Sequence, residues 1–116
     1  MTLKTFLTAA FVTALGLTIA PVSASASTCA MEGKGLISIN ANTSTELHFI
    51  NKSTGPRSLY WLNYDGFRVF YMRLNPGENY VQQTYVTHPW VVVADDMGTC
   101  TQVIMPAPTP TDAVLN

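Results

Sequence analysis

Six residues at even positions near the C-terminal third of the chain have side chains suited to ligand recognition: Tyr80, Gln82, Thr84, Val86, His88 and Trp90. In an uninterrupted strand these residues share one face, but Thr84 and His88 then lie about 13 Å apart, too far to contact one small polar group. Pro89 cannot donate to a strand ladder and restricts the backbone of His88. We therefore predict a bend at Thr87-His88-Pro89, which folds the imidazole and the indole back towards the Thr84 hydroxyl and forms a concave site.

The sequence does not indicate a catalytic site or a cofactor. It has no glycine-rich phosphate loop and no serine in a nucleophile elbow. A zinc site needs three or four closely spaced ligands, whereas His48, His88, Asp95 and Asp96 show no such spacing. Asp95-Asp96 is more typical of a solvated turn than of a calcium site, because the surrounding loop lacks further acidic ligands. We predict a protein that is not an enzyme and holds no metal, while a glycosidase carboxylate pair and a hydrolase pairing His88 with Asp95 or Asp96 stay open.

The charge pattern excludes two classes of partner. Beyond residue 26 the chain has five basic and seven acidic residues, a balance near −2. Without a basic stripe, a nucleic-acid partner is not expected. Without a basic amphipathic helix, adsorption to a membrane is not expected either.

The N-terminus has the three parts of a secretory leader. Lys4 precedes an apolar run from Phe6 to Ala20, and Pro21 ends that run. Ala24-Ser25-Ala26 supplies a small-residue cleavage site. We predict a signal peptide at residues 1–26 and export to the periplasm or the exterior.

Two cysteines, Cys29 and Cys100, lie near the two ends of the predicted domain. An oxidising compartment makes a disulfide between them the expected state. The closed loop spans most of the mature chain, so the cross-link is expected to contribute about 4 kcal/mol to a small core.

From Gly33 onward the sequence alternates short β-prone runs with turns. Asp65-Gly66 between two such runs is a strong hairpin signal, and Asn75-Pro76-Gly77-Glu78 is a second turn. The pattern predicts an all-β, seven-stranded β-sandwich domain at residues 27–106. Its strands are expected at 36–39, 45–51, 57–64, 67–74, 79–86, 90–94 and 100–105. Residues 107–116 contain two further prolines and are expected to be a disordered tail.

The stretch from Glu46 to Cys100 resembles the β domain of the von Hippel–Lindau tumour suppressor family. The matching pieces follow in order: Phe49-Ile50-Asn51-Lys52-Ser53, Tyr60-Trp61-Leu62-Asn63-Tyr64-Asp65-Gly66, Tyr71, Leu74-Asn75-Pro76-Gly77 and Thr84-Tyr85-Val86-Thr87-His88-Pro89-Trp90. The piece that runs from Trp61 to Gly66 is the most specific. The resemblance covers about half of the chain and implies a β-sandwich with a pocket for hydroxyproline in an extended peptide.

The resemblance also implies which residues line that pocket. They are Trp61, Tyr71, Thr84, His88 and Trp90. Thr84 stands where the family has a serine and keeps the hydroxyl, whereas Gln83 and Pro89 depart from the family's usual neighbours. The family's human member also has a helical domain that recruits ubiquitin-ligase partners, and here a proline-rich tail follows instead, so no such partner is expected.

These observations predict an exported, non-enzymatic module that binds a peptide or protein, with hydroxyproline as the candidate side chain. The alternative is an inhibitor or structural partner of another exported protein, which would bind through turns such as Asp95–Thr99. Alanine at His88 would abolish peptide binding in the first case and leave partner binding intact in the second.

Overall fold

The computed structural model describes residues 25–27, 29–94 and 98–116. Residues 1–24 of the predicted signal peptide lie outside the described residues. In the described part, no helix is long and apolar enough to cross a membrane.

Eight strands and one short 3-10 helix make up the described chain. The strands are β1 (Ser25–Ser27), β2 (Ser44–Asn51), β3 (Arg57–Leu62), β4 (Arg68–Leu74), β5 (Asn79–Tyr85), β6 (Trp90–Ala94), β7 (Cys100–Met105) and β8 (Thr111–Leu115), and the 3-10 helix is Cys29–Met31. One sheet has the order β1-β7-β6-β3-β4 and the other the order β5-β2-β8. All the pairings are antiparallel except that of β2 with β8, which is parallel.

The two sheets pack face to face around one apolar core, which confirms the predicted β-sandwich. Strand β2 alternates as its sequence predicts, with Leu47 and Phe49 buried and Glu46 exposed. The core cluster joins β2 and β8 to the inner face of the larger sheet through Leu47, Phe49, Leu59, Leu74, Trp90, Val92, Ile104, Ala113 and Leu115. Burial of these side chains is the main force that holds the sheets together.

The outer face of the larger sheet is covered as well. Leu62, Val91, Val93 and Val103 form a second buried cluster, against which Cys29, Leu36, Tyr60 and Cys100 pack. Burial on both sides explains the uninterrupted valine run of β6. The predicted disulfide between Cys29 and Cys100 is present, with 5.9 Å between the Cα atoms. Arg68 anchors the same covering segment, because its guanidinium donates two hydrogen bonds of 2.6 Å to the Glu32 carboxylate.

The structure corrects two expectations. Residues 36–39 are not a strand: Ser38 N–H donates to Asn63 O and Ile39 N–H donates to Thr87 O, so this segment spans two turns and joins no ladder. The expected disordered tail at 107–116 is also wrong for its second half, where Thr111–Leu115 form β8. Thr111, Ala113 and Leu115 alternate into the core, and that burial outweighs the cost of ordering the chain end.

Candidate functional site

A cavity of about 160 Å³ opens along one long side of the sandwich. Strand β4 is the edge of the larger sheet there, and β5 is the edge of the smaller one. Among the described strands, none pairs across this gap, so side chains from both edges can line a shared hollow. The lining residues are Trp61, Tyr64, Tyr71, Gln83, Thr84, Tyr85, His88 and Trp90.

All five residues named from the sequence lie around this one cavity. Trp61, Tyr71, Thr84 and Trp90 belong to four different strands, β3, β4, β5 and β6, and His88 lies in the connection between the last two. The bend expected before Pro89 is present and begins slightly earlier: β5 ends at Tyr85, and His88 N–H donates to Tyr85 O at 3.0 Å. This tight turn returns the imidazole towards Thr84.

Aromatic rings form the walls of the cavity and support one another edge to face. The Tyr71 ring lies 4.8 Å from the Trp90 ring at an angle of 74°. Trp61 is close to perpendicular to Tyr64, with 5.6 Å between the ring centroids. Perpendicular pairs of this kind are favoured by the ring quadrupoles, so each ring restricts the tilt of its neighbour.

Trp90 is a core residue as much as a wall of the cavity. Its side chain is 2% exposed and lies edge-on to Phe49 of the opposite sheet, 5.7 Å away. Its indole Nε1–H donates a hydrogen bond of 2.9 Å to the Thr84 hydroxyl oxygen. That bond fixes the position of the hydroxyl and leaves the Thr84 hydrogen and one lone pair for another partner.

His88 is the histidine of the cavity lining, and it is 8% exposed. Its Nε2 lies 3.3 Å from the Tyr64 hydroxyl, and its ring packs against Trp61 at 5.4 Å and Tyr85 at 5.1 Å. Burial lowers the pKa of His88 below its ordinary value, because desolvation disfavours the charged imidazolium. The imidazole is therefore neutral at pH 7, with one nitrogen that donates and one that accepts.

The lowered pKa predicts a pH dependence of stability. Well above about pH 6.5, His88 is neutral in both the folded and the unfolded chain. As the pH falls towards the lower folded-state pKa, the unfolded chain takes up the proton first, so the free energy of unfolding decreases. Urea unfolding between pH 7 and pH 5 measures this decline, which we expect His88→Gln to reduce. Equal slopes for native protein and His88→Gln would contradict it.

Three lining residues, Tyr64, Gln83 and Tyr85, were not expected from the sequence. Alternation along β5 places the side chains of Gln83 and Tyr85 on the face opposite to that of Thr84. Both residues nevertheless line the cavity, because β5 is an edge strand beside the gap between the sheets. Tyr64 follows the end of β3, where alternation no longer applies. Its position next to the Asp65-Gly66 turn, three residues after Trp61, was the available signal.

Among the described residues, His88 is the only histidine or acidic side chain that lines the cavity. In the described part of the chain, no group of three or more His, Cys, Asp or Glu side chains could hold a metal ion. Asp95 and Asp96, the carboxylates considered as partners of His88, lie outside the described residues. The other histidine, His48, lies between Glu46 and Asp112 on the outer face of the smaller sheet, away from the cavity.

Comparison with known proteins agrees with the fold. A family model described as VHL beta domain matches residues 36–102, which is more than half of the chain and includes every residue that lines the cavity. None of the curated proteins matches the chain. The VHL β domain is a non-enzymatic domain that binds protein or peptide substrates. The length of the match, together with the sandwich that contains it, shows that this chain belongs to the VHL β-domain family.

Proposed function

We propose that this protein is an exported binding module whose cavity takes a hydroxyproline side chain from an extended peptide. The observation that carries the proposal is the convergence of Trp61, Tyr71 and Trp90 with Thr84 and His88 on one cavity. The rings can cover the apolar carbons of a pyrrolidine ring, while the hydroxyl and the imidazole can pair with its 4-hydroxyl group. A cavity of about 160 Å³ suits one side chain of this size and not a whole folded surface.

The polar pair would give the site its preference for the hydroxylated ring. Thr84 and His88 are both nearly buried, so water reaches them poorly once a peptide covers the cavity. An unmodified proline would leave the Thr84 hydroxyl hydrogen and the second imidazole nitrogen of His88 without a partner, which costs more than the loss of one favourable contact. Hydroxyproline would satisfy them.

Two further observations support export and a ligand at this site. The Cys29–Cys100 disulfide is of the kind that persists in oxidising compartments. The Trp61 indole N–H is buried and has no hydrogen-bond partner among the described residues. A buried N–H without a partner lowers the stability of the fold. Its presence at Trp61 is explained if the indole serves as a wall of a binding cavity.

Binding of the purified domain to two peptides, identical except for proline or 4-hydroxyproline, tests the proposal by calorimetry. We expect tighter binding of the hydroxylated peptide. Thr84→Val keeps the shape of the side chain and removes the hydroxyl, so the preference should fall by about tenfold. Thr111→Val makes the same change at a buried position in β8, away from the cavity, and should keep the preference. Equal binding of both peptides to the native domain would overturn the proposal.

The alternative, an inhibitor or structural partner that binds through Asp95–Thr99, depends on a turn of which residues 95–97 lie outside the described part. His88→Ala separates the two. It should abolish binding of the hydroxylated peptide, whereas a partner held by the turn would still bind.

A further inference from the structure

Tyr64 is held rigidly beside the cavity by the turn that follows it. The Asn63 side-chain oxygen accepts hydrogen bonds of 2.9 Å from the backbone N–H groups of Asp65 and Phe67. Gly66 closes the turn with a φ of 83°, and a Cβ atom there would lie 3.3 Å from Leu36 O. Both features favour glycine at this position, because a Cβ atom would be crowded there and because other residues rarely adopt a positive φ. The turn therefore fixes the direction in which Tyr64 leaves the end of β3.

The Tyr64 ring meets the imidazole of His88 in one defined arrangement. The two ring centroids lie 5.6 Å apart at an angle of 89°. This geometry brings the phenol oxygen to 3.3 Å from His88 Nε2. Among the described residues, Tyr64 is the hydrogen-bond partner of the imidazole ring.

The chemistry of the two groups decides which of them donates. A neutral imidazole carries a hydrogen on one nitrogen and accepts at the other. A phenol hydroxyl is a better donor than a neutral imidazole N–H, and an unprotonated imidazole nitrogen is a better acceptor than a phenol oxygen. The favoured arrangement therefore has the Tyr64 O–H donating to Nε2, with the imidazole hydrogen on Nδ1.

We infer that Tyr64 is a positioning residue that fixes the Nδ1–H tautomer of His88 and thereby makes the imidazole a hydrogen-bond donor towards a bound ligand. The ligand in this inference comes from the proposed function, whereas the contact between Tyr64 and His88 does not depend on that proposal. Trp90 orients Thr84 in a similar way, because its indole N–H donates to one lone pair of the hydroxyl oxygen and leaves the hydroxyl hydrogen and the other lone pair for a ligand. The cavity then offers a ligand hydroxyl one imidazole donor and one hydroxyl that can donate or accept. The imidazole then pairs with a ligand oxygen that accepts, such as the 4-hydroxyl oxygen of hydroxyproline, and the remaining lone pair of Thr84 can accept the hydrogen of a hydroxyl group.

The tautomer can be measured without a ligand. In ¹⁵N-labelled protein at pH 7.5, two-bond ¹H–¹⁵N correlation spectra distinguish the protonated nitrogen of His88 from the bare one. We expect Nδ1 to carry the hydrogen in the native domain, and the two tautomers to mix in Tyr64→Phe, which keeps the ring and removes the hydroxyl. A native spectrum with the hydrogen on Nε2, or an unchanged tautomer in Tyr64→Phe, would overturn the inference.

Binding gives the second readout. Tyr64→Phe should reduce the preference for the hydroxyproline peptide over the proline peptide by about fivefold, mainly through weaker binding of the former. Tyr60→Phe makes the same change on a ring that packs against Phe70, away from the cavity, and should keep the preference. A native domain without any preference would overturn the proposed function, and the spectra would still test the tautomer. A native preference that Tyr64→Phe retains in full would overturn the inference alone.

Discussion

Replacing both half-cystines, as Cys29→Ser with Cys100→Ser, is expected to lower the free energy of unfolding by about 4 kcal/mol. The cross-link joins positions that are 71 residues apart, so its removal frees a long loop in the unfolded chain. In the folded chain it ties the 3-10 helix to the start of β7 and keeps Cys29 and Leu36 packed on the outer face of the larger sheet. Urea unfolding followed by tryptophan fluorescence measures the loss.

A matched control comes from the same 3-10 helix. Met31 is exposed, and Met31→Ser introduces a serine there without touching the cross-link. We expect it to change the stability by about 0.5 kcal/mol or less. A double-serine variant as stable as Met31→Ser would show that packing alone holds the covering segment in place.

Leu115→Ala is expected to lower the free energy of unfolding by about 2–5 kcal/mol, as for other fully buried leucines. Leu115 is the last apolar residue of β8 and lies in the core beside β2. Its neighbour Val114 is 39% exposed on the opposite face, so Val114→Ala should cost about 1 kcal/mol or less. Thermal unfolding of the two variants compares the faces directly.

Ending the chain at Pro110 is the stronger form of the same test. It removes all of β8, uncovers the edge of β2 and exposes core side chains such as Leu47 and Phe49. We expect the shortened chain to lose cooperative unfolding. A shortened chain with native stability, or equal effects of Leu115→Ala and Val114→Ala, would mean that the C-terminal residues are not part of the folded domain.

Local sequence patterns predicted the larger part of the sandwich. The alternation of Leu47 and Phe49 in β2, the valine run of β6 and the hairpin at Asp65-Gly66 are each visible within a few residues. Strand β8 was missed because prolines precede it and because its parallel partner β2 lies far away in sequence. No short window of sequence records a pairing over that distance.

The candidate site was predicted better than its chemistry. The family resemblance named five residues that the structure places around one cavity, and Pro89 indicated the bend that returns His88 towards Thr84. The two hydrogen bonds that orient the polar groups were not expected, because each joins side chains brought together by tertiary packing. The roles of Tyr64 and Trp90 towards their polar neighbours therefore needed coordinates.

The parallel pairing of β2 with β8 has a consequence for how the chain acquires its structure during synthesis. Strand β2 leaves the ribosome well before the residues that cover its free edge, since Leu47 pairs with Thr111 and Asn51 with Leu115. The smaller sheet cannot close before those distant residues have been synthesised, so β2 keeps an open strand edge until then. We expect a chaperone that shields this edge to act until β8 has emerged.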